Sequence, residues 1–128
     1  MQKLQISLSL DSNPIPPQEI SKLLGVKPFT ALLQGERNKE RDLPRHNIWE
    51  VRSDASLETI GEQWEDIVSK FGRNWLDLIE ISKKGTVRIT IIVDATSHLP
   101  SVIIPPKMSE AAYLMNSEID IDYYDDKD

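Results

Sequence analysis

Two segments alternate apolar and polar residues strictly enough to commit this chain to a β-sheet. In the first, Leu4, Ile6, Leu8 and Leu10 interleave with Lys3, Gln5, Ser7 and Ser9. In the second, Val87, Ile89, Ile91 and Val93 alternate with Arg88, Thr90 and Ile92. A period of two belongs to a strand with one face buried, and one-sided alternation suits an antiparallel sheet covered on one side only. Whatever else the chain does, it must supply helices to cover that side.

The helices are legible between the strands. Leu57, Ile60, Trp64, Ile67, Val68 and Phe71 fall at steps of three and four, which predicts an amphipathic helix, with Ser56 as its expected N-cap and Gly72 as its stop. An earlier, shorter helix opens at Pro16-Pro17 and closes at Gly25, because proline fits a first turn and glycine a last one. Ile104-Pro105-Pro106 opens another that runs through Ala111, Ala112, Leu114 and Met115 towards Asn116. Trp75, Leu78 and Ile79 suit a further helical turn or two ahead of Lys83-Lys84-Gly85. Ile48 to Val51 reads as a short strand, and Ile119, Ile121 and Tyr123, alternating with Asp120, Asp122 and Tyr124, as a last one.

This order predicts an α+β fold: a ferredoxin-like or related open-faced sandwich, with a mostly antiparallel sheet of about four strands and helices on one face. The 128 residues make one domain, 1–128, ending in an acidic tail from about residue 118. Leu4, Ile6, Leu8, Val87, Ile89, Ile91, Ile119 and Ile121 are expected to be buried with Trp64, Ile67 and Phe71. The N-terminal stretch lacks the continuous apolar run of a signal peptide, and no segment approaches a membrane span, so a cytoplasmic protein is expected.

Charge is placed unevenly. Of a net −6, the last eleven residues carry all but one unit, with Glu118, Asp120, Asp122, Asp125, Asp126 and Asp128 against Lys127 alone. Such an edge repels nucleic acid and anionic membranes and attracts a basic partner.

The chain also resembles a known family. Pro17-Gln18-Glu19-Ile20 leads to Leu24-Gly25-Val26-Lys27-Pro28; Gly35-Glu36, a basic loop and Ile48-Trp49 follow, and Ile103-Ile104-Pro105, a helix and Ile119-Asp120-Ile121-Asp122-Tyr123 close the chain. Across nearly its whole length this is similar to the bacterial domain-of-unknown-function family 4279. The resemblance implies a small α+β domain and supplies no catalytic residues.

Recognisable chemistry is sparse. With no cysteine, thiolate metal ligands and a cysteine nucleophile are excluded. The five glycines are too scattered for a phosphate-binding loop, and no serine sits in a nucleophile elbow. His46 and His98 fall in expected loops, and the terminal aspartates lack the glycine and closing glutamate of a calcium loop. No metal and no cofactor are expected. The site residues that stand out are Asp120, Asp122, Tyr124, Asp125 and Asp126, because alternate residues of a strand share a face and the tail prolongs it. This strip points to a non-enzymatic protein-binding domain, in its sharpest form an immunity- or antitoxin-type protein that neutralises a basic toxin domain. The alternative is a small-molecule or enzymatic site of unassigned chemistry in which Arg37, Arg41 and Arg45, on a long polar loop, hold an anion beside Trp49. Solvent-facing arginines and a core Trp49 are the plainer reading of that second set.

Overall fold

A strand near the N-terminus, β1 (Lys3–Asp11), organises the molecule: it is the middle strand of five and pairs antiparallel on both sides. The computed structural model describes residues 3–94 and 101–124. After β1 come α1 (Pro17–Leu24), β2 (Thr30–Leu32), β3 (Ile48–Arg52), α2 (Ile60–Phe71), a single 3-10 turn, α3 (Trp75–Ser82), β4 (Thr86–Asp94), α4 (Pro106–Leu114) and β5 (Glu118–Tyr124). The strand order is β2-β3-β1-β4-β5. The first four strands, all antiparallel to their neighbours, reproduce the split β-α-β arrangement of a ferredoxin-like sheet. The α4 crossover then adds β5 parallel to β4.

The alternation read from the sequence sets the two faces. Leu4, Ile6, Leu8 and Leu10 of β1, Trp49 and Val51 of β3, and Val87, Ile89, Ile91 and Val93 of β4 form one buried cluster. Ile20 and Leu24 of α1, Trp64, Ile67 and Phe71 of α2, Leu78 and Ile79 of α3, and Met108, Ala111 and Ala112 of α4 complete it. Three aromatic contacts tie α2 and α3 to β3: Trp49 to Phe71, Phe71 to Trp75, and Trp75 edge-on to Trp64, with centroids 6.0–6.1 Å apart. The opposite face of the sheet carries no helix among the described residues.

Three expectations need correction. The open-faced sandwich is as expected, but among the described residues its sheet has a fifth strand, because Thr30–Leu32 pairs with β3; a three-residue, mostly exposed strand leaves no periodic signal. The N-cap of α2 is Thr59, not Ser56: the Thr59 hydroxyl accepts from the Glu62 N–H at 3.1 Å while the Glu62 carboxylate accepts from the Thr59 N–H at 3.2 Å. Thr59 has a glutamate three residues on and Ser56 does not, so only Thr59 can close this reciprocal box. Finally, Ile121 is 42% exposed rather than buried, and Ile119 is only half-buried. Both lie on the last strand, which among the described residues has a neighbour on one side alone.

Proline and glycine act where expected. Pro17 and Pro106 occupy first turns, and Gly25, at φ 66°, closes α1 with its N–H donated to the Ser21 carbonyl at 2.9 Å. Among the described residues no helix is long and apolar enough to cross a membrane.

Candidate functional site

The helix-free face of the sheet presents polar side chains in ordered rows. Strand register aligns Thr30, Glu50, Ser9, Arg88 and Glu118 across all five strands. The next row is Arg52, Ser7, Thr90 and Asp120, and the next Gln5, Ile92 and Asp122. Tyr124 stands beside Asp94 at the end of the last strand pair. Asp120, Asp122 and Tyr124 therefore do share one face of β5, as their alternation predicts. Asp125 and Asp126 lie outside the described residues, as does His98.

Two charge clusters divide this face. Towards β2, the Glu50 carboxylate accepts from the Ser7 hydroxyl and from Arg52 Nε, the latter at 2.9 Å. The Arg52 guanidinium also lies 4.2 Å from the centroid of the Phe29 ring, itself 61% exposed, a cation–π contact. This cluster satisfies its own charges. Towards β5 the balance differs. Arg88 Nε reaches Asp120 Oδ2 at 3.2 Å, while Glu118 and Asp122, in the rows on either side, have no ion-pair partner among the described residues. The β5 end of the face is therefore net acidic, and beside it Ile121, Tyr123 and Tyr124 are each at least 42% exposed.

The residues of the alternative anion site are placed differently. Trp49 is fully buried in the core, and its indole N–H donates to the Ser21 hydroxyl at 3.0 Å, tying β3 to α1. The ring is thus packed in the core, while its N–H is bound to Ser21. Arg37, Arg41 and Arg45 are all exposed and make no ion pair among the described residues. Their loop is held by its own bonds: Asn38 and Leu43 exchange both backbone hydrogen bonds at 2.9 and 3.0 Å, and the Gln34 amide donates to the Asp42 carboxylate at 2.9 Å. The Gly35 N–H closes the base on the Pro44 carbonyl at 2.9 Å, with Gly35 at φ 76°. His46 is exposed on the same loop. Among the described residues, no three carboxylate or imidazole groups come together as a metal site.

A model of one protein family, described as a domain of unknown function (DUF4279), matches residues 2–126. The chain belongs to the DUF4279 family. No curated protein and no solved structure matches it. Membership in DUF4279 thus fixes kinship over nearly the whole chain and leaves function to the geometry.

Sequence reasoning singled out the acidic residues of β5 but missed Arg88, Glu50, Arg52 and Phe29. Arg88 had a signal: it is the one charged residue between Val87 and Val93, on the polar parity of the strand. Phe29 had none, because a lone aromatic after a proline gives no hint that it will sit under a guanidinium from another strand.

Proposed function

We propose that this protein acts by binding another protein through the acidic end of its open sheet face, and that it is not an enzyme. In its sharpest form it is a cytoplasmic immunity- or antitoxin-type inhibitor whose partner is a basic toxin domain. The observation that carries this reading is the alignment of Asp120, Asp122 and Tyr124 on one face of the outermost strand, with Glu118 in the same file and, among the described residues, only Arg88 as a counter-charge. In the sequence, Asp125 and Asp126 follow directly after Tyr124 and add to the same acidic end. An acidic file of this kind steers a basic surface into contact and raises the association rate more than it deepens the affinity. Tyr124 adds a broad, stiff contact surface at low entropic cost.

The test is to isolate the partner by affinity capture from the native host, then to measure association kinetics at low and physiological salt. For the unaltered protein the association rate should fall as salt screens the field. Replacing Asp120, Asp122, Asp125 and Asp126 together with Asn should slow association about tenfold at low salt and leave folding intact. Equal association rates for the two proteins at both salts would reduce the strip to a solubility device.

A further inference from the structure

The strand that carries the acidic file is also an open edge. Among the described residues β5 has β4 on one side and no strand on the other, over seven residues from Glu118 to Tyr124. Only alternate residues of an outer strand bond inward; the N–H and C=O groups of the remainder point away from the sheet and can template another strand. The opposite edge, β2, offers only three residues. On β5 the helix-side row also ends uncovered, with Ile121 at 42% and Tyr123 at 48% exposure beside fully buried Ile91 and Val93.

We propose that β5 receives an extended basic segment of another protein as a sixth strand, a mode of contact that rests on the protein-binding reading above. The side chains of β5 define that segment. Its residues facing Asp120 and Asp122 must be Lys or Arg, and the intervening residues, lying over Ile121 and Tyr123, must be apolar, because cross-strand neighbours on one face interact directly. The same pattern excludes a second copy of this chain. In an antiparallel pairing of two β5 strands centred on Ile121, Asp120 of each would stand opposite Asp122 of the other, and like charges directly opposite oppose pairing. The edge is thus closed to itself and open to its charge complement.

The experiment uses the full-length protein and three synthetic peptides of equal charge. One alternates Lys and Val, the second carries the same sequence N-methylated at alternate backbone amides on the pairing edge, and the third replaces Val with Gly. The Lys–Val peptide should bind and slow hydrogen exchange at the β5 amides, and the N-methylated peptide should bind about tenfold more weakly, having lost its backbone donors. The Gly peptide should bind more weakly still, and Asp120→Asn/Asp122→Asn should weaken the Lys–Val complex. If all three peptides bind alike and the double variant weakens them alike, strand addition is overturned while the acidic strip stands as a docking surface. If binding is indifferent to the double variant, or protection falls away from β5, both the strand addition and the acidic strip are overturned. Self-association of the unaltered protein through β5 would likewise overturn the proposal.

Discussion

Ser53, at the end of β3, donates its hydroxyl to the side-chain carbonyl of Gln63 on α2 at 2.7 Å, and both residues are buried. This bond is the centre of a buried polar node against the apolar core. The Ser53 hydroxyl oxygen accepts from the Ile6 N–H at 2.8 Å, and the Gln63 amide donates to the carbonyls of Leu4 and Leu57, the latter at 2.8 Å. One glutamine thereby joins β1, β3, α2 and the turn before α2. It fixes how far along the sheet the helix sits, which apolar contacts alone would specify less sharply.

Removing that glutamine should be costly. Gln63→Leu keeps most of the volume but leaves two backbone carbonyls and a hydroxyl without their partner in a buried setting. The expected loss is about 2–4 kcal/mol, since each stranded polar group costs about 1–3 kcal/mol and some will find water. Urea denaturation measures it; a change below ~1 kcal/mol would mean the node contributes little net stability.

Glycines test the packing from a different side. A Cβ on Gly85 would lie 2.7 Å from the Asp11 carbonyl oxygen and 2.9 Å from Asn13 Cα, both backbone atoms that cannot swing away. Gly85→Ala should therefore cost about 1–3 kcal/mol through overpacking. Gly61, inside α2, has only the Thr59 hydroxyl at 3.9 Å in its way. Gly61→Ala should stabilise by up to about 1 kcal/mol, the helical preference of alanine over glycine. Opposite signs in paired denaturation curves are the expected outcome, and equal signs would contradict the geometry.

How legible was this fold in the sequence? β1, β4 and α2 were plain because each buries one face over several turns or pleats, so the periodic signal accumulates. Three residues of β2 cannot accumulate any. The N-cap of α2 required reading Thr59 together with Glu62 rather than the first serine before the apolar run. Ile121 misled because alternation tells which residues share a face, whereas burial also needs a neighbour on both sides. The file of Asp120, Asp122 and Tyr124 was legible for the same reason the strands were. Arg88 was legible as a charge on the polar parity of β4, but its pairing with Asp120 was not, since that contact depends on which strands become neighbours.

One carboxylate carries a defined pH signature. Asp54 accepts from the Ser56 backbone N–H at 2.9 Å and from the Ser56 hydroxyl at 2.7 Å, and these bonds, the backbone one first, hold its pKa below the ordinary aspartate value of 3.8. A group whose folded pKa is depressed adds stability that is fully present above its unfolded value and is lost as pH falls through the folded value. The contribution of Asp54 should thus vanish only below the range in which ordinary aspartates titrate. In an NMR titration of the side-chain carboxyl, Ser56→Ala should move the Asp54 midpoint part-way back up, because the backbone donor remains. An unmoved midpoint would assign the depression to the backbone N–H and the nearby charge of Lys70.

The last expectation concerns what the β5 aspartates prevent. An outer strand with exposed Ile121, Tyr123 and Tyr124 is a template for its own kind, and natural proteins guard such edges with charge. Asp120 and Asp122 are the charges placed to do so, since self-pairing about Ile121 would bring two carboxylates face to face in each of two rows across two chains. Asp120 also pairs with Arg88, but at 46% and 53% side-chain exposure that pair adds little to stability. Asp120→Thr/Asp122→Thr therefore removes the repulsion, keeps residues at home in a strand, and leaves the fold in place. The double variant should dimerise or aggregate in sedimentation velocity at concentrations where the unaltered protein stays unassociated, and Ile121→Lys added to it should restore solubility by recharging the same edge. If the double variant remains as unassociated as its parent, the edge is protected by something other than these two charges, and the argument that β5 refuses a second copy of itself loses its physical basis.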